Sequence, residues 1–572
     1  MVTTGEGTIE TQETIPQLGA GIDFTDPNSP LAPWYFQTSH VCAGLLLLCV
    51  GLFAALFPVW HTDIWAHMKF GEWIWTHGRL PSHEPFSSFA DQQAPYINYQ
   101  WLSQTGFYLL YHAGEILTDG DVLTRLAGGA EALRIGFVGI LLLRCWFLLL
   151  AYRRHSGSLP LACVGLILVL VLSHAYIAVL RPQMLGELFF AVLLCTLSQP
   201  TPSTSASLGV PLLFVLWVNT HGSYPLGLTL LAVMALGRVV DLAGLRRAWA
   251  DQAFRRLAGM LLAALVAGAL VNPHGPALYL HTVRLAGNAN VAGLVEWQPL
   301  GRSVVLATTF VALALTFWLS PRPIGAAAVL VVLVFGGQAC LQQRMMVWWL
   351  TLVPWLLLPH WKALGEHFGW AIFQQRSVPS FRKTLLTGAL VVVGFLAGRW
   401  LVPAARLGEP RPLDKALHAG TPWRVALQVR HPETRSLPAL AQQLQALYPE
   451  GRFVGNIFAS ETQGDFLVWA LGPDVPVLLY THVHLFPPQR WQECLTVKFA
   501  QPGWREVLDR NGINLIVFEA EVYAQLRQRL LTRQDWVVVL DETGLTTKPD
   551  PRGRLFVALR RQPLPASPTE HR

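Results

Sequence analysis

The chain has 572 residues, 52% hydrophobic and only 13% charged, with a net charge of +7 and a mean hydropathy of +0.38. A soluble chain of ordinary composition carries about 25% charged residues, so this balance excludes a wholly soluble protein and implies a polytopic membrane protein with a soluble part attached. The basic residues cluster beside apolar runs and not on one soluble face, which argues against nucleic acid as a partner and for membrane lipids.

In chain order, residues 1–37 are polar and rich in Gly, Pro and Thr, with acids at Glu6, Glu10, Glu13, Asp23 and Asp26. That composition predicts a disordered cytoplasmic tail, and the missing basic n-region predicts no cleavable signal peptide. Apolar runs at about 40–60, 131–151, 158–178, 182–198, 256–272, 303–320, 323–340, 345–359 and 384–402, with a helical hairpin over 209–240, predict about eleven transmembrane helices within 38–402. The apolar piece 101–111 is too short to cross and reads as a re-entrant or interfacial helix. Basic residues fall on alternate loops: Arg153 and Arg154, then Arg238, Arg246, Arg247, Arg255 and Arg256, then Lys362, Arg376, Arg382 and Lys383. By the positive-inside rule those loops and the N-terminus are cytoplasmic, and the first loop (61–100), the turn near Asn219, the loop 273–302 and the tail are outside.

From 403 to 572 the charges become dense and the apolar runs short. Strands are predicted at 453–457, 477–480, 514–518, 536–540 and 555–559, with helices at 460–471, 503–511 and 520–532 between them, a small extracytoplasmic α/β domain. It holds no GxGxxG, Walker or nucleophile-elbow sequence. Six of the seven cysteines lie in or beside apolar runs, Cys494 is alone in the tail, and there is no CxxC pair, so neither a disulfide framework nor a metal site is expected. The chain has no Asn-x-Ser/Thr sequon, which favours a bacterial inner membrane.

The stretch 61–101 follows the first span and carries Asp63, His67 one helical turn later, and Trp65, Trp73, Trp75 and Trp101. It reads as an amphipathic helix in the membrane interface, ending near Gly78, with an acid held just outside the bilayer. On the predicted topology Asp63, His67, Glu84, Arg181, Asn219, His221, Asn272, His274, Glu296 and Arg344 all fall at outer helix ends or in outer loops. Buried polar groups there usually face a cavity, so they suggest one outward-facing polar chamber. Each has a structural reading too: Asp63 as a helix cap, Arg181 and Arg344 as snorkelling anchors, Glu296 as a partner of Arg302, Glu187 as half of a buried pair. The echoing turns Asn219-Thr220-His221-Gly222 and Asn272-Pro273-His274-Gly275 read first as tight reversals and second as substrate contacts.

Asp63-Ile64-Trp65-Ala66-His67, Gly71-Glu72-Trp73-Ile74 and Pro81-Ser82-His83-Glu84-Pro85-Phe86-Ser87, with Arg181-Pro182, the two Asn/His turns and Glu296-Trp297 further on, resemble the bacterial membrane glycosyltransferases of the GT-C fold. The likeness is to the branch related to protein O-mannosyltransferases and aminoarabinose transferases, and covers roughly 38–402 plus the outer tail. The resemblance implies transfer of a sugar from a polyprenyl-phosphate donor to an acceptor on the outer face. It casts Asp63 as catalytic base or metal contact, leaving room for a divalent metal though no metal ligands stand out. Many members carry paired acids in this loop, whereas here Asp63 stands alone. A polyprenyl phosphate leaves as a phosphate, so the chemistry needs a base for the acceptor hydroxyl and cations for the phosphate. Asp63 suits the first role, and Arg181 and Arg344, permanently charged and bidentate, the second. Attack opposite the leaving group inverts the anomeric centre. His67, Glu84, Asn219, His221, His274 and Glu296 complete the expected substrate contacts. A non-catalytic lipid-sugar transporter or flippase predicts charges along a whole transmembrane pathway instead, and a scaffold for envelope polysaccharide assembly is a third reading.

Overall fold

A computed structural model describes residues 24–59, 63–87, 89–91, 93–177, 179–370, 378–401, 410–448, 453–545 and 553–565. The apolar runs form helices. α1 (Thr38–Leu56) is followed by α2 (Ile64–His77), α3 (Trp101–Ile116) and α4 (Val122–Ser156). Further apolar helices cover Leu159–Leu172, Gln183–Leu197, Thr204–Val218, Tyr224–Asp241, Gln252–Val271, Val304–Leu319, Ala326–Leu341, Met346–His367 and Phe381–Leu401. Among the described residues four are long and apolar enough by themselves to cross a membrane: α1, α4, Tyr224–Asp241 and Gln252–Val271. At 35 residues, α4 is about 52 Å long and outruns a bilayer's hydrocarbon core. The expected hairpin over 209–240 is present, its two helices meeting at Asn219–Ser223.

Local chemistry sets the ends of these helices. Asp121 accepts the Thr124 backbone N–H at 2.9 Å and so caps α4, while Ser158, Ser203, Asp251 and Ser303 cap later helices in the same way. α2 ends on Gly78 at φ 63°, the left-handed conformation a helix C-cap favours. The pair Glu187–Arg144 joins two helices inside the bundle at 2.5 Å, the buried partner expected for Glu187.

Several expectations are corrected. The 101–111 piece is longer, Trp101–Ile116, and packs between α2 and α4 within the protein. The first half of α2 packs within the protein: Ile64 through Gly71 are buried, and Trp65 stands edge-on to Phe466 of the tail, with ring centroids 4.9 Å apart. The expected tail 1–37 lies outside the described residues up to 23, but 24–37 are ordered against the start of the last apolar helix. There Phe24 stacks on Phe381 at 6.4 Å, and Phe36 bridges Ser380. The junction at 402–409 and the loop around Arg376 also lie outside the described residues.

The C-terminal part forms a four-stranded sheet, β1 (Asn456–Ala459), β2 (Ile513–Glu519), β3 (Trp536–Asp541) and β4 (Leu555–Arg560), in the order β1-β2-β4-β3. β1 and β2 pair parallel and the other neighbours antiparallel. Every residue of β2 and β4 is buried, the mark of strands covered on both faces. The piece expected as a strand at 477–480 makes only an isolated bridge, Val477 to Ile457. One of its carbonyls is taken by the first loop: Ser87 Oγ donates to the Leu478 carbonyl at 2.9 Å. The helices Trp423–Arg430, Pro438–Leu447 and Pro488–Lys498 are additions to the expected elements.

Candidate active site

Residues separated by long stretches of sequence converge at the junction of α2, the loops after Ile177 and Val271, and the tail. Arg181 lies just before the helix Gln183–Leu197, Glu296 in a short 3-10 turn (Val295–Trp297) and Arg344 in another (Gln343–Met345). Arg181 Nη1 is 3.2 Å from Glu296 Oε2, and Arg344 Nη1 is 3.8 Å from Oε1. The Arg344 guanidinium also sits 4.2 Å from the Trp297 ring centroid, a cation–π contact that holds the planar group in place. All three side chains are half-buried, so the arginines are turned into the protein and are not snorkelling anchors. Glu296 pairs with both of them, not with Arg302. Two guanidiniums around one carboxylate leave one net positive charge.

Asp63 precedes α2, and its carboxylate makes no capping hydrogen bond to that helix, so capping does not explain it. It lies within electrostatic reach of Arg181, Arg344 and the buried Asp465. Burial works against the charge on Arg181, but the carboxylates of Asp63 and Glu296 outweigh it and raise its pKa. Burial likewise opposes ionisation of Glu296, and Arg344 and Arg181 overcome it and hold the carboxyl below its ordinary value. The anion between the two arginines is thus charged at neutral pH.

His67 lies on the buried face of α2, where Gln104 Nε2 contacts its Nδ1 at 3.2 Å. Burial, and then the charges of His484 and Arg181, push its pKa down to about 3, so it is a neutral imidazole. His221 joins the same neighbourhood: burial, Arg344, His67 and Arg181 hold it well below the usual histidine value. The Ser223 backbone N–H donates to His221 Nδ1 at 3.1 Å, which places the ring proton on Nε2.

Two of the expected contacts, Glu84 and Asn219, carry structural hydrogen bonds. Glu84 is 2% exposed and faces the tail. Its Oε1 accepts from Phe86 N at 2.8 Å and Tyr480 Oη at 2.7 Å, and its Oε2 from Ser87 N at 2.5 Å. It ties a loop turn to the tail, because a buried carboxyl needs donors and these are the ones present. Asn219 Oδ1 accepts from Trp101 Nε1 at 2.8 Å and from Asn272 Nδ2 at 3.1 Å, and its Nδ2 donates to the Val215 carbonyl at 2.8 Å. The two echoing turns are therefore knotted to each other, the reading placed first for them. His274 sits on the rim of the same turn, its backbone N–H donating to Asn272 Oδ1 at 2.9 Å.

The tail adds groups to which the loop motifs do not point. Asp465 is fully buried, and its Oδ1 accepts from Thr481 N at 3.1 Å and Oγ1 at 3.0 Å. Burial, opposed by the Thr481 N–H and reinforced by Asp63, raises its pKa well above the ordinary value, so it is a neutral acid. The turn at Val483–Leu485 is clamped by Asn290, whose Nδ2 donates to the carbonyls of Val483 at 3.0 Å and Phe486 at 2.8 Å. That clamp carries His482 to within 4.9 Å of His67, ring centroid to centroid. The only signal in the sequence is the alternation Thr481-His482-Val483-His484, which by itself reads as a loop. Among the described residues no group of three or more His, Cys, Asp or Glu side chains is arranged to hold a metal ion.

No family model and no curated protein matches the chain. Among solved structures it is similar to the oligosaccharyltransferase AglB of Archaeoglobus fulgidus in complex with an inhibitory peptide and a dolichol-phosphate, at 10% identity and a TM-score of 0.46, covering 84% of this chain and 69% of that one. A second structure of that enzyme, tethered to an acceptor peptide, matches at 12% identity and a TM-score of 0.47 over 85% of this chain and 71% of that one. ArnT from Cupriavidus metallidurans bound to undecaprenyl phosphate matches at 15% identity and a TM-score of 0.43, over 91% of this chain and 98% of that one.

Proposed function

We propose that the protein is a GT-C-type membrane glycosyltransferase that moves a sugar from a polyprenyl-phosphate donor to an acceptor on the outer face of a bacterial inner membrane. The observation that carries this reading is the meeting of Arg181 and Arg344, 163 positions apart in the chain, on one carboxylate within electrostatic reach of Asp63. Two guanidiniums match the bidentate geometry of a phosphate and stabilise the charge that develops as the sugar–phosphate bond breaks. Asp63 takes the proton of the acceptor hydroxyl, which attacks the anomeric carbon opposite the departing phosphate and inverts it. Because the leaving group departs as an anion, no acid is needed to protonate it. His67 and His221 line the site as neutral groups, and Glu296 holds the arginines apart until phosphate competes for them.

Glu187 and the short hairpin over 209–240 are the features that favour the transporter reading; in the bundle Glu187 is paired with Arg144 at 2.5 Å, which takes it out of any open charged path. The deciding experiment follows transfer of label from a polyprenyl-phosphate-linked sugar by the protein in nanodiscs. The wild type turns over and Asp63→Asn, folded and monodisperse, does not. Full turnover by Asp63→Asn overturns the assignment of the base.

A further inference from the structure

A row of imidazoles runs away from the arginines through a part of the molecule for which the transfer chemistry has no use. His67 on α2 meets His482 at 4.9 Å, and His482 meets His484 at 5.7 Å, both between ring centroids. His484 interacts in turn with His281, and His281 with His274. His281 belongs to the helix Ala277–Ala286 and lies 5.7 Å from the Tyr99 ring. The row therefore crosses three separate pieces of chain: the first loop, the tail turn and the loop after Val271.

Three ring nitrogens in this row are buried and have no hydrogen-bond partner among the described residues: His482 Nδ1, His281 Nε2 and His274 Nε2. His482 is only 7% exposed, packed on its faces by Phe70 at 5.1 Å and Tyr480 at 5.3 Å. Packing alone would suit a phenylalanine there, and an orphaned polar atom costs about 1–3 kcal/mol. The His274 ring interacts with the backbone of Asn98, while its Nε2 has no partner among the described residues. Burial, with His67 for His482, and with His482 and His281 for His484, holds both tail imidazoles well below the ordinary histidine pKa. A neutral imidazole is one donor and one acceptor, which matches a hydroxyl and offers little to a phosphate. The row is not arranged to grip a metal ion.

We infer that this seam is the sugar subsite, in which His482 Nδ1, His281 Nε2 and His274 Nε2 bind the hydroxyls of a pyranose or furanose while Arg181 and Arg344 hold the phosphate. The inference rests on the proposed transfer reading. It also explains why the tail is docked on the first loop, since the Thr481–Phe486 segment is one wall of the site and removing the tail opens it.

The test uses the full chain in nanodiscs and saturation-transfer NMR with a panel of free hexoses, pentoses and N-acetylhexosamines. At least one sugar shows transfer to the wild type. That signal falls at least about fivefold, the loss of one or more neutral hydrogen bonds, in His482→Leu/His281→Leu, and persists in Arg344→Ala. His274→Leu, at the half-exposed rim, loses part of the signal and serves if the double variant does not fold. Binding unchanged in these variants, no binding by any sugar of the panel, or stoichiometric Zn2+ binding that His482→Leu abolishes would each overturn the subsite. Undecaprenyl phosphate binding is read on the same samples: lipid binding without sugar binding removes the subsite alone, and sugar binding without lipid binding removes the transfer reading alone.

Discussion

Glu84→Gln isolates how the first loop is fastened to the tail. Burial raises the Glu84 carboxyl from 4.5 to about 7, against the opposing pull of Ser87 N–H, Tyr480 O–H and Phe86 N–H. Below pH 4.5 the group is protonated in both folded and unfolded chains. As pH rises from 4.5 to 7 the unfolded chain ionises while the folded chain keeps its proton, so stability falls with pH and the loss is complete above 7. At roughly 1.4 kcal/mol per decade of proton affinity, the full loss is about 3 kcal/mol. Glutamine does not titrate, and it forfeits the Ser87 N–H acceptor at every pH, a constant cost of about 1–2 kcal/mol. The variant is therefore less stable than wild type at pH 4.5 and gains about 3 kcal/mol relative to it by pH 8. Denaturant unfolding of the detergent-solubilised protein, followed by tryptophan fluorescence with unchanged slope, measures that difference of differences. A wild-type-minus-variant gap that is the same at both pH values refutes the buried, proton-holding carboxyl.

Other substitutions separate site from scaffold. Arg181→Ala and Arg344→Ala each weaken lipid-phosphate binding by about 1.5–3 kcal/mol, roughly ten- to a hundredfold, read as a shift in Kd. Lysine at either position restores little, because it lacks the planar fork. Asn219→Ala strips acceptors from Trp101 Nε1 and Asn272 Nδ2 and lowers stability by about 1–3 kcal/mol per orphaned group, measured by thermal unfolding, while label transfer per folded molecule is retained. Arg144→Ala leaves Glu187 in the bundle with the Gln183 Nε2 donor at 3.0 Å but without its guanidinium partner and costs about 3–5 kcal/mol in the same measurement.

The helices are legible in the sequence because apolar length and caps are local properties. The end of α2 follows from Gly78, and the hairpin over 209–240 from Asn219 and Gly222 between apolar runs. Charge topology groups Arg181, Glu296 and Arg344 on one expected side, and the structure brings those three together. Their pairing is not legible, since Arg302 is nearer in sequence to Glu296 than either true partner. Glu84 looks like a chamber residue because its loop carries the motif, but its partner, Tyr480, lies 396 positions on. The tail's contribution is hidden for the same reason: Asp465, His482 and His484 matter through a clamp at Asn290, and periodicity carries no information about which loop a turn will meet. The segment 477–480 has the residues of a strand, but its hydrogen bonds go to Ser87 and Ile457.

The most direct test of the account compares undecaprenyl phosphate with the uncharged undecaprenol by native mass spectrometry, on the wild type and on Arg181→Ala/Arg344→Ala. The two lipids share a tail and differ only in the group that the arginines are assigned to hold. The account predicts that the wild type retains the phosphate in strong preference to the alcohol and that the double variant loses the preference while still binding both. Equal retention of the two lipids by the wild type would contradict it, and with it the assignment of Arg181 and Arg344.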